Sequence, residues 1–312
     1  EEGLVLINEL YLEDYLKKVV PSEMPASYEK EALKTQAVCA RTYAYRQIQG
    51  NTYGAYGAHV DDSTSFQVYN NTQTNERTDQ AVDETYGQLL TFDGEPIDAF
   101  YYSTSCGHGT DGTVWGNDGS ATPYLKAVSI NEKRKPMDLT SNEAFGAFIK
   151  NMDVEAYDSE FAMFRWNAKT DSQILAEKIG GVGQITGLTV TERGPGGAAK
   201  ALKVVGTEGS KTFTGQSKVR SVLGNTRLVF NRKDGSTYTE WETLPSGFIY
   251  IENQGTDENG VTAFTIYGGG YGHGAGMSQN GAQGMAKKGK NYKEILKFFY
   301  DGCEIVDIGD VV

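Results

Sequence analysis

Hydrophobic positions near the N-terminus recur at helical spacing. Leu12, Leu16 and Val19 fall on one face of a helix. We expect Pro21 to end this helix, because a proline disfavours helical geometry in the residue before it. Residues 22–25 are then predicted to form a short turn between two prolines.

A second helix is predicted directly after that turn. Ser27 is its expected N-cap, and Glu29 and Glu31 would favour its positive end. Small and apolar residues follow at positions i, i+4, i+7 and i+11, namely Leu33, Ala37, Ala40 and Ala44. Such a narrow stripe suits close packing and predicts a central buried helix.

The hydrophobic pattern changes over residues 51–102. Residues 51–82 show little periodicity and predict a long irregular segment, of a kind that is often functional. A hairpin is then predicted, with Gln88–Phe92 as one strand, a turn at Asp93 and Gly94, and 97–102 as the returning strand.

The remaining chain alternates between helical and β-prone patterns. Helices are predicted at 142–152, 172–179, 217–223, 277–288 and 291–300. Strands are predicted at 185–192, 200–205, 228–230 and 248–251. The pattern predicts an α+β fold, mixed α/β, with a β-rich, loop-rich middle and helical N- and C-terminal segments around one substrate groove. Three regions are expected: 1–130, 131–265 and 266–312.

The amino-acid composition limits the kinds of binding partner to be expected. The 38 glycines agree with a loop-rich β component. A net charge of -12, from 29 basic and 41 acidic residues, argues against a nucleic-acid partner, which needs a basic face. The 19 tyrosines suit stacking on sugar rings, although most of them are expected to serve packing.

The cysteine count argues against a disulfide-rich scaffold, and the lack of long apolar runs argues against a membrane-spanning segment in this sequence. Cys39, Cys106 and Cys303 are far apart and allow at most one disulfide. No run of about 18 apolar residues occurs, and no signal peptide is visible. Because the chain begins at Glu1 without Met, we expect a mature or trimmed form, and any membrane attachment would come from an anchor absent from this chain.

Two long motifs, in this order, resemble the SpoIID family. Residues 15–25 and 31–44 are similar to its N-terminal motif, and 272–282 are similar to its second motif. The segment from Asp62 to Tyr69 and the strand end at 99–105 extend the resemblance over nearly the whole chain.

The resemblance implies an extracytoplasmic lytic transglycosylase of spore-forming bacteria. Such an enzyme would act on peptidoglycan glycan strands between N-acetylmuramic acid and N-acetylglucosamine during forespore engulfment, beside a SpoIIP-type amidase and endopeptidase. Residues 1–130 would carry the catalytic residue, and 266–312 would complete the groove. The same domain occurs in amidase enhancers, so a non-catalytic glycan-binding role is the alternative.

Glu23 is the candidate catalytic acid. Pro21 and Pro25 would fix the turn that presents it, and Val20 and Met24 would desolvate it and raise its pKa. One carboxyl group suffices if the C6 hydroxyl of the sugar is the nucleophile and closes a 1,6-anhydro ring. Without the resemblance, capping of the following helix is the simpler interpretation.

Substrate binding is expected at two sets of residues. Lys34 and Arg41 lie two turns apart on one helix face, and structural and substrate roles are equally open for both. Asp62 would bind the ligand or orient His273, or it would cap a turn. In the second motif, His273, Met277, Ser278 and Gln279 are the candidates, with N-capping by Ser278 as the alternative.

Cys106 and His108 form a separate candidate site. A thiolate and an imidazole two residues apart can chelate zinc. Small residues are more usual at these positions in the family, so the pair is a departure from its pattern. An inert cysteine beside a polar histidine is the alternative, and no cofactor is required with certainty.

Overall fold

The protein is described by a computed structural model that covers residues 4–63, 65–71 and 73–311. The start of the chain at Glu1 therefore lies outside the described residues. The helices are α1 Leu12–Glu23, α2 Lys30–Gln49, α3 Glu76–Asp83, α4 Asn142–Lys150, α5 Ser172–Ala176, α6 Gln216–Leu223, α7 Gln279–Lys287 and α8 Tyr292–Phe299. Among these described helices, none combines the length and the apolar character needed to cross a bilayer.

The strands complete an α+β fold, as the sequence predicts. They are β1 Gln88–Phe92, β2 Glu95–Pro96, β3 Tyr101–Tyr102, β4 Trp166–Asp171, β5 Ile185–Arg193, β6 Ala199–Gly206, β7 Gly209–Thr214, β8 Phe230–Arg232, β9 Thr237–Tyr238, β10 Ile249–Thr256, β11 Thr262–Gly268, β12 Met277–Ser278 and β13 Glu304–Asp307. The chain divides into two compact units, a first unit of residues 1–101 and 282–312 and a second unit of residues 102–281. The division into three regions expected from the sequence stays a prediction.

The first helix of the first unit does not end where the sequence predicts. Pro21 lies inside α1, and the last helical residue is Glu23, so residues 22–25 are not a free turn. A proline near the C-terminal end removes one backbone donor, and the helix continues past it. The Ser22 hydroxyl donates to the Lys18 carbonyl oxygen at 2.7 Å within this last turn.

The second helix is the buried centre of the first unit. Leu33, Ala37 and Ala40 have no exposed surface, which confirms the predicted stripe. Its N-cap is Glu29, not Ser27. The Glu29 N–H donates to Oε1 of Gln283 at 2.7 Å, so a residue remote in sequence satisfies a donor that Ser27 was expected to satisfy.

The first unit also contains a small antiparallel sheet, α3, α8 and most of α7. The first strand and the turn of the hairpin are confirmed, and Asp93 and Gly94 both take positive φ values. The returning strand was predicted at 97–102, but the strand that pairs with β1 is β2, Glu95–Pro96. On its other side, β1 pairs with β13, a strand that the sequence did not predict. The expectation of an irregular segment over 51–82 was wrong at its end, where α3 begins after the capping residue Asn75.

The second unit is built on two antiparallel sheets. One has the strand order β10-β11-β4-β8-β9 and the other β5-β6-β7. The sequence predicts β5, β6 and α6 within a residue or two but misses β4, β7 and β11. Trp166, Leu202 and Phe264 belong to a single apolar cluster that these strands share with α5 and α6. Burial of these apolar side chains stabilises the unit.

Candidate functional site

Glu23 is held at the end of α1 by two hydrogen bonds to one carboxylate oxygen. Its Oε1 accepts from the Val68 backbone N–H at 2.8 Å and from the Tyr101 hydroxyl at 3.2 Å. Glu23 is half-buried, whereas Val20 and Met24, close to it in the sequence, are fully buried. An N–H can only donate, so a proton on this carboxyl group resides on Oε2.

A chain of polar side chains behind Glu23 fixes the direction of the Tyr101 bond. Gln67 donates through Nε2 to the Tyr101 hydroxyl at 3.0 Å and to the Ala40 carbonyl oxygen at 3.3 Å. The Tyr15 hydroxyl donates to Gln67 Oε1 at 3.3 Å. With both ends of the Gln67 amide engaged, the Tyr101 hydroxyl accepts from Gln67 and donates to Glu23.

Burial keeps both phenols of this chain protonated. It raises the pKa of Tyr101 well above 10, and the nearby Glu23 charge raises it further. The pKa of Tyr15 is raised for the same two reasons, with burial the larger. Tyr101 and Tyr15 are therefore neutral hydrogen-bond donors at physiological pH.

Neither Val68 nor Tyr101 is among the site residues that the sequence predicts. Val68 and Tyr101 lie 45 and 78 residues from Glu23 along the chain. Both residues belong to segments that resemble the SpoIID family, and this resemblance could have identified them. Nothing in their local sequence pattern indicates that they lie close to a carboxylate.

Arg41 lies in the interior of the first unit. Its guanidinium has no exposed surface and forms a bidentate pair with Glu13, with Nε–Oε1 and Nη2–Oε2 distances of 2.7 and 2.8 Å. Lys34 pairs with Glu84 at 2.8 Å and with Glu31 at 3.4 Å. Of the two roles left open, the geometry favours the structural one for Arg41.

Asp62 lies in an exposed part of the first unit. Its carbonyl oxygen accepts from the Tyr69 N–H at 3.2 Å. The turn-capping role considered for Asp62 belongs to its neighbour Asp61, whose Oδ1 accepts from the Ser63 N–H at 2.9 Å and the Ser63 hydroxyl at 2.6 Å. A ligand-binding role for Asp62 stays a prediction.

His273 lies in an aromatic environment in the second unit. Its ring is 5.4 Å from the ring of Trp115 and 5.5 Å from that of Tyr102. Nδ1 accepts from the Ala275 N–H at 3.2 Å, which places the proton of the neutral ring on Nε2. Trp115 is 43% exposed, so part of an aromatic side chain is open to solvent beside this histidine.

Ser278 is part of a buried polar cluster around Asp158. Its hydroxyl donates to Asp158 Oδ2 at 2.8 Å and accepts from the Gly281 N–H at 3.0 Å, so it caps the start of α7. Ser105 also donates to Asp158, through its N–H at 2.7 Å and its hydroxyl at 2.9 Å. Burial raises the pKa of Asp158.

The two neighbours of Ser278 in the second motif are buried as well. Met277 has no exposed surface and Gln279 is 7% exposed. Asp158 was not singled out in the sequence, because a lone aspartate in an irregular segment carries no local signal. The buried positions favour a structural role for this stretch of the motif.

The geometry at Cys106 and His108 does not fit zinc. His108 donates through Nδ1 to the Gly109 carbonyl oxygen at 2.7 Å and accepts at Nε2 from the Met137 N–H at 3.1 Å, so both ring nitrogens are engaged. Burial raises the pKa of the Cys106 thiol to about 11, whereas a zinc ligand is a thiolate. The alternative, an inert pair, is favoured.

Two further observations concern metals and cysteines. In the portion of the chain that the structure describes, no three His, Cys, Asp or Glu side chains group as metal ligands would. Cys39, Cys106 and Cys303 are all buried free thiols, so the one disulfide that the sequence allowed does not form.

The candidate residues divide between the units. Glu23, Lys34, Arg41 and Asp62 belong to the first unit, and Cys106, His108, His273, Met277, Ser278 and Gln279 belong to the second. Two family profiles match the sequence, one within the first segment of the first unit and one within the second unit. The profile described as Stage II sporulation protein matches residues 1–92, and Domain of unknown function (DUF8618) matches residues 111–276.

Curated relatives cover most of the chain. It is 32% identical to Stage II sporulation protein D of Bacillus subtilis over 96% of this chain and 75% of that protein. It is 30% identical to the Amidase enhancer of the same organism over 93% of this chain but only 40% of that protein. An uncharacterized protein of Brachyspira hyodysenteriae is 32% identical over 99% of this chain and 70% of that protein. The chain thus belongs to the SpoIID family of stage II sporulation proteins.

Proposed function

We propose that this protein is a lytic transglycosylase of the cell wall that acts in sporulation. It cleaves peptidoglycan glycan strands between N-acetylmuramic acid and N-acetylglucosamine and leaves 1,6-anhydromuramic ends. The observation that carries the proposal is Glu23, a half-buried carboxyl group held by Val68 and Tyr101 within a motif of the family.

The proposed reaction uses Glu23 twice. Its proton passes from Oε2 to the glycosidic oxygen as the bond between this oxygen and C1 of the muramic acid breaks. The C6 hydroxyl then attacks the oxocarbenium-like C1, and its proton passes to the Glu23 carboxylate as the C1–O6 bond forms. Because the nucleophile belongs to the substrate, no second carboxylate is required.

The donors on Oε1 orient this carboxyl group. When Glu23 gives up its proton, the charge that appears is shared with an oxygen that already accepts two hydrogen bonds, from Val68 and Tyr101. Both donors are in place before the reaction. Tyr101 is therefore a positioning residue in this proposal.

We place the protein outside the cytoplasm, because that is where peptidoglycan lies. A SpoIIP-type amidase and endopeptidase that removes stem peptides would be its partner in forespore engulfment. Membrane attachment would come from an anchor outside this chain. His273 and the exposed Trp115 would bind sugar in the second unit. Lys34 and Asp62 are the further substrate-binding residues proposed in the first unit.

The test is the chemistry of the products. Purified glycan strands without stem peptides are digested with the protein, and the new ends are identified by mass spectrometry. The proposal requires 1,6-anhydromuramic ends. Reducing ends would show hydrolysis instead, and would require a second carboxylate that this mechanism does not contain.

A non-catalytic glycan-binding module that enhances an amidase is the second candidate. The similarity to the Amidase enhancer, over 93% of this chain, favours it. In that case the protein would co-sediment with cell-wall sacculi and accelerate an added amidase, but the glycan strands would keep their length.

A further inference from the structure

Arg193 is a buried cation at the end of β5 in the second unit. The residue is 7% exposed, and its guanidinium lies 4.2 Å from the ring of Phe145. Nε donates to Asn142 Oδ1 at 2.9 Å and Nη1 to the Gly197 carbonyl oxygen at 2.8 Å. The remaining nitrogen, Nη2, is buried without a hydrogen-bond partner among the described residues.

No carboxylate in the described ranges of the chain balances this charge. The neighbouring Glu192 pairs instead with Lys200 at 3.1 Å. Burial lowers the pKa of Arg193 to about 10, which still leaves it charged at neutral pH. A buried charge without a counter-ion is unfavourable, and so is a buried N–H donor without an acceptor. A bound anion would remove both of these free-energy penalties.

A cavity of about 160 Å³ adjoins Arg193. Its other lining residues are Asn142, Leu188, Thr189, Val190, Tyr250 and Ile251. Asn142 is the first residue of α4, so the positive end of that helix adds to the charge of Arg193. The volume is well below the roughly 300–1,000 Å³ of a drug-sized ligand site, so the cavity fits a small group and not a whole sugar ring.

We propose that this cavity binds a carboxylate, with the Arg193 guanidinium as its counter-charge. Nη2, the guanidinium nitrogen left without a partner, would donate to a carboxylate oxygen, and the apolar walls formed by Leu188 and Val190 would strengthen the pair by excluding water. The carboxylate is either a small free acid or the end of a larger molecule such as a peptide. The site is independent of the chemistry at Glu23.

Isothermal titration calorimetry at constant ionic strength tests the proposal. Acetate probes the small acid, and N-acetylalanine against N-acetylalaninamide probes a peptide end. We expect saturable binding of one or both acids and none of the amide. Equal binding of acid and amide, or no saturable heat with either acid, would overturn the proposal.

Two substitutions locate the binding. Arg193→Gln should weaken it at least tenfold, whereas Arg227→Gln, at an exposed arginine paired with Glu177, should leave it unchanged. Asn142→Asp places a carboxylate beside Arg193 Nε at the cost of the hydrogen bond from Asn142 Nδ2 to the Val190 carbonyl oxygen, and in the folded variant it should abolish binding. Unchanged acetate affinity in a folded Asn142→Asp variant would contradict the assignment.

Discussion

Replacing Arg41 with methionine tests whether this residue is structural. Arg41 is fully buried, and its bidentate pair with Glu13 joins α2 to α1. Its other hydrogen bonds go to the Val82 carbonyl oxygen, the Gln88 carbonyl oxygen and the Thr85 hydroxyl. Removing one partner of a buried ion pair costs about 3–5 kcal/mol. The Glu13 side chain is 19% exposed and can regain some water, so we expect about 3 kcal/mol, the lower end.

That loss corresponds to a fall in Tm of about 10 °C for a unit of this size. Urea unfolding followed by circular dichroism measures the loss in the free energy of unfolding. The matched control is Lys34→Met on the same helix, whose partner Glu84 is exposed and whose loss should cost about 1 kcal/mol or less. Equal losses in the two variants would refute the reasoning, as would a stable Arg41→Met protein that has lost glycan binding.

Three further outcomes are expected. Gly272→Ala should destabilise the second unit by about 2–4 kcal/mol in urea unfolding, because φ is +114° and the new Cβ would lie 2.6 Å from Tyr102 Cβ. Gly94→Ala, in the first unit, should cost about 1 kcal/mol, because its new Cβ would have no atom within 4 Å and only the positive φ is unfavourable. Burial lowers the pKa of His108 below 6.5, so its contribution to stability is present above pH 6.5 and is lost as pH falls through the lowered value; His108→Gln should flatten this section of the stability–pH curve. Metal analysis of purified protein should find no stoichiometric zinc, and Cys106→Ala should leave the metal content unchanged; one zinc per chain that is lost in this variant would contradict the geometry.

The local sequence pattern predicted those elements that are determined by residues close to them in the sequence. The stripe from Leu33 to Ala44 and the turn at Asp93 and Gly94 carry their structural cause within a few residues. The local pattern failed where a residue remote in the sequence determines the structure. Gln283, in α7, satisfies the N–H of Glu29 at the start of α2, and no pattern near Ser27 could indicate that.

The candidate site shows the same division. Glu23 is recognisable from its motif, but its position at the last residue of a helix depends on α1 continuing through Pro21. Its hydrogen-bond donors come from two other segments of the chain, so spacing could not identify them. Spacing also placed Lys34 and Arg41 on one face, but it could not tell a fully buried arginine from a partly exposed lysine.

The central claim is that the Glu23 carboxyl group transfers the proton in glycan cleavage. Glu23→Gln keeps the size of the side chain and an acceptor for Val68 and Tyr101 but removes the ionisable proton. On peptide-free glycan strands, this variant should lose at least a hundredfold of the rate at which 1,6-anhydromuramic ends form. Glu9→Gln, at an exposed glutamate before α1, should retain the full rate. Cleavage by the Glu23→Gln protein at the unsubstituted rate would contradict the account.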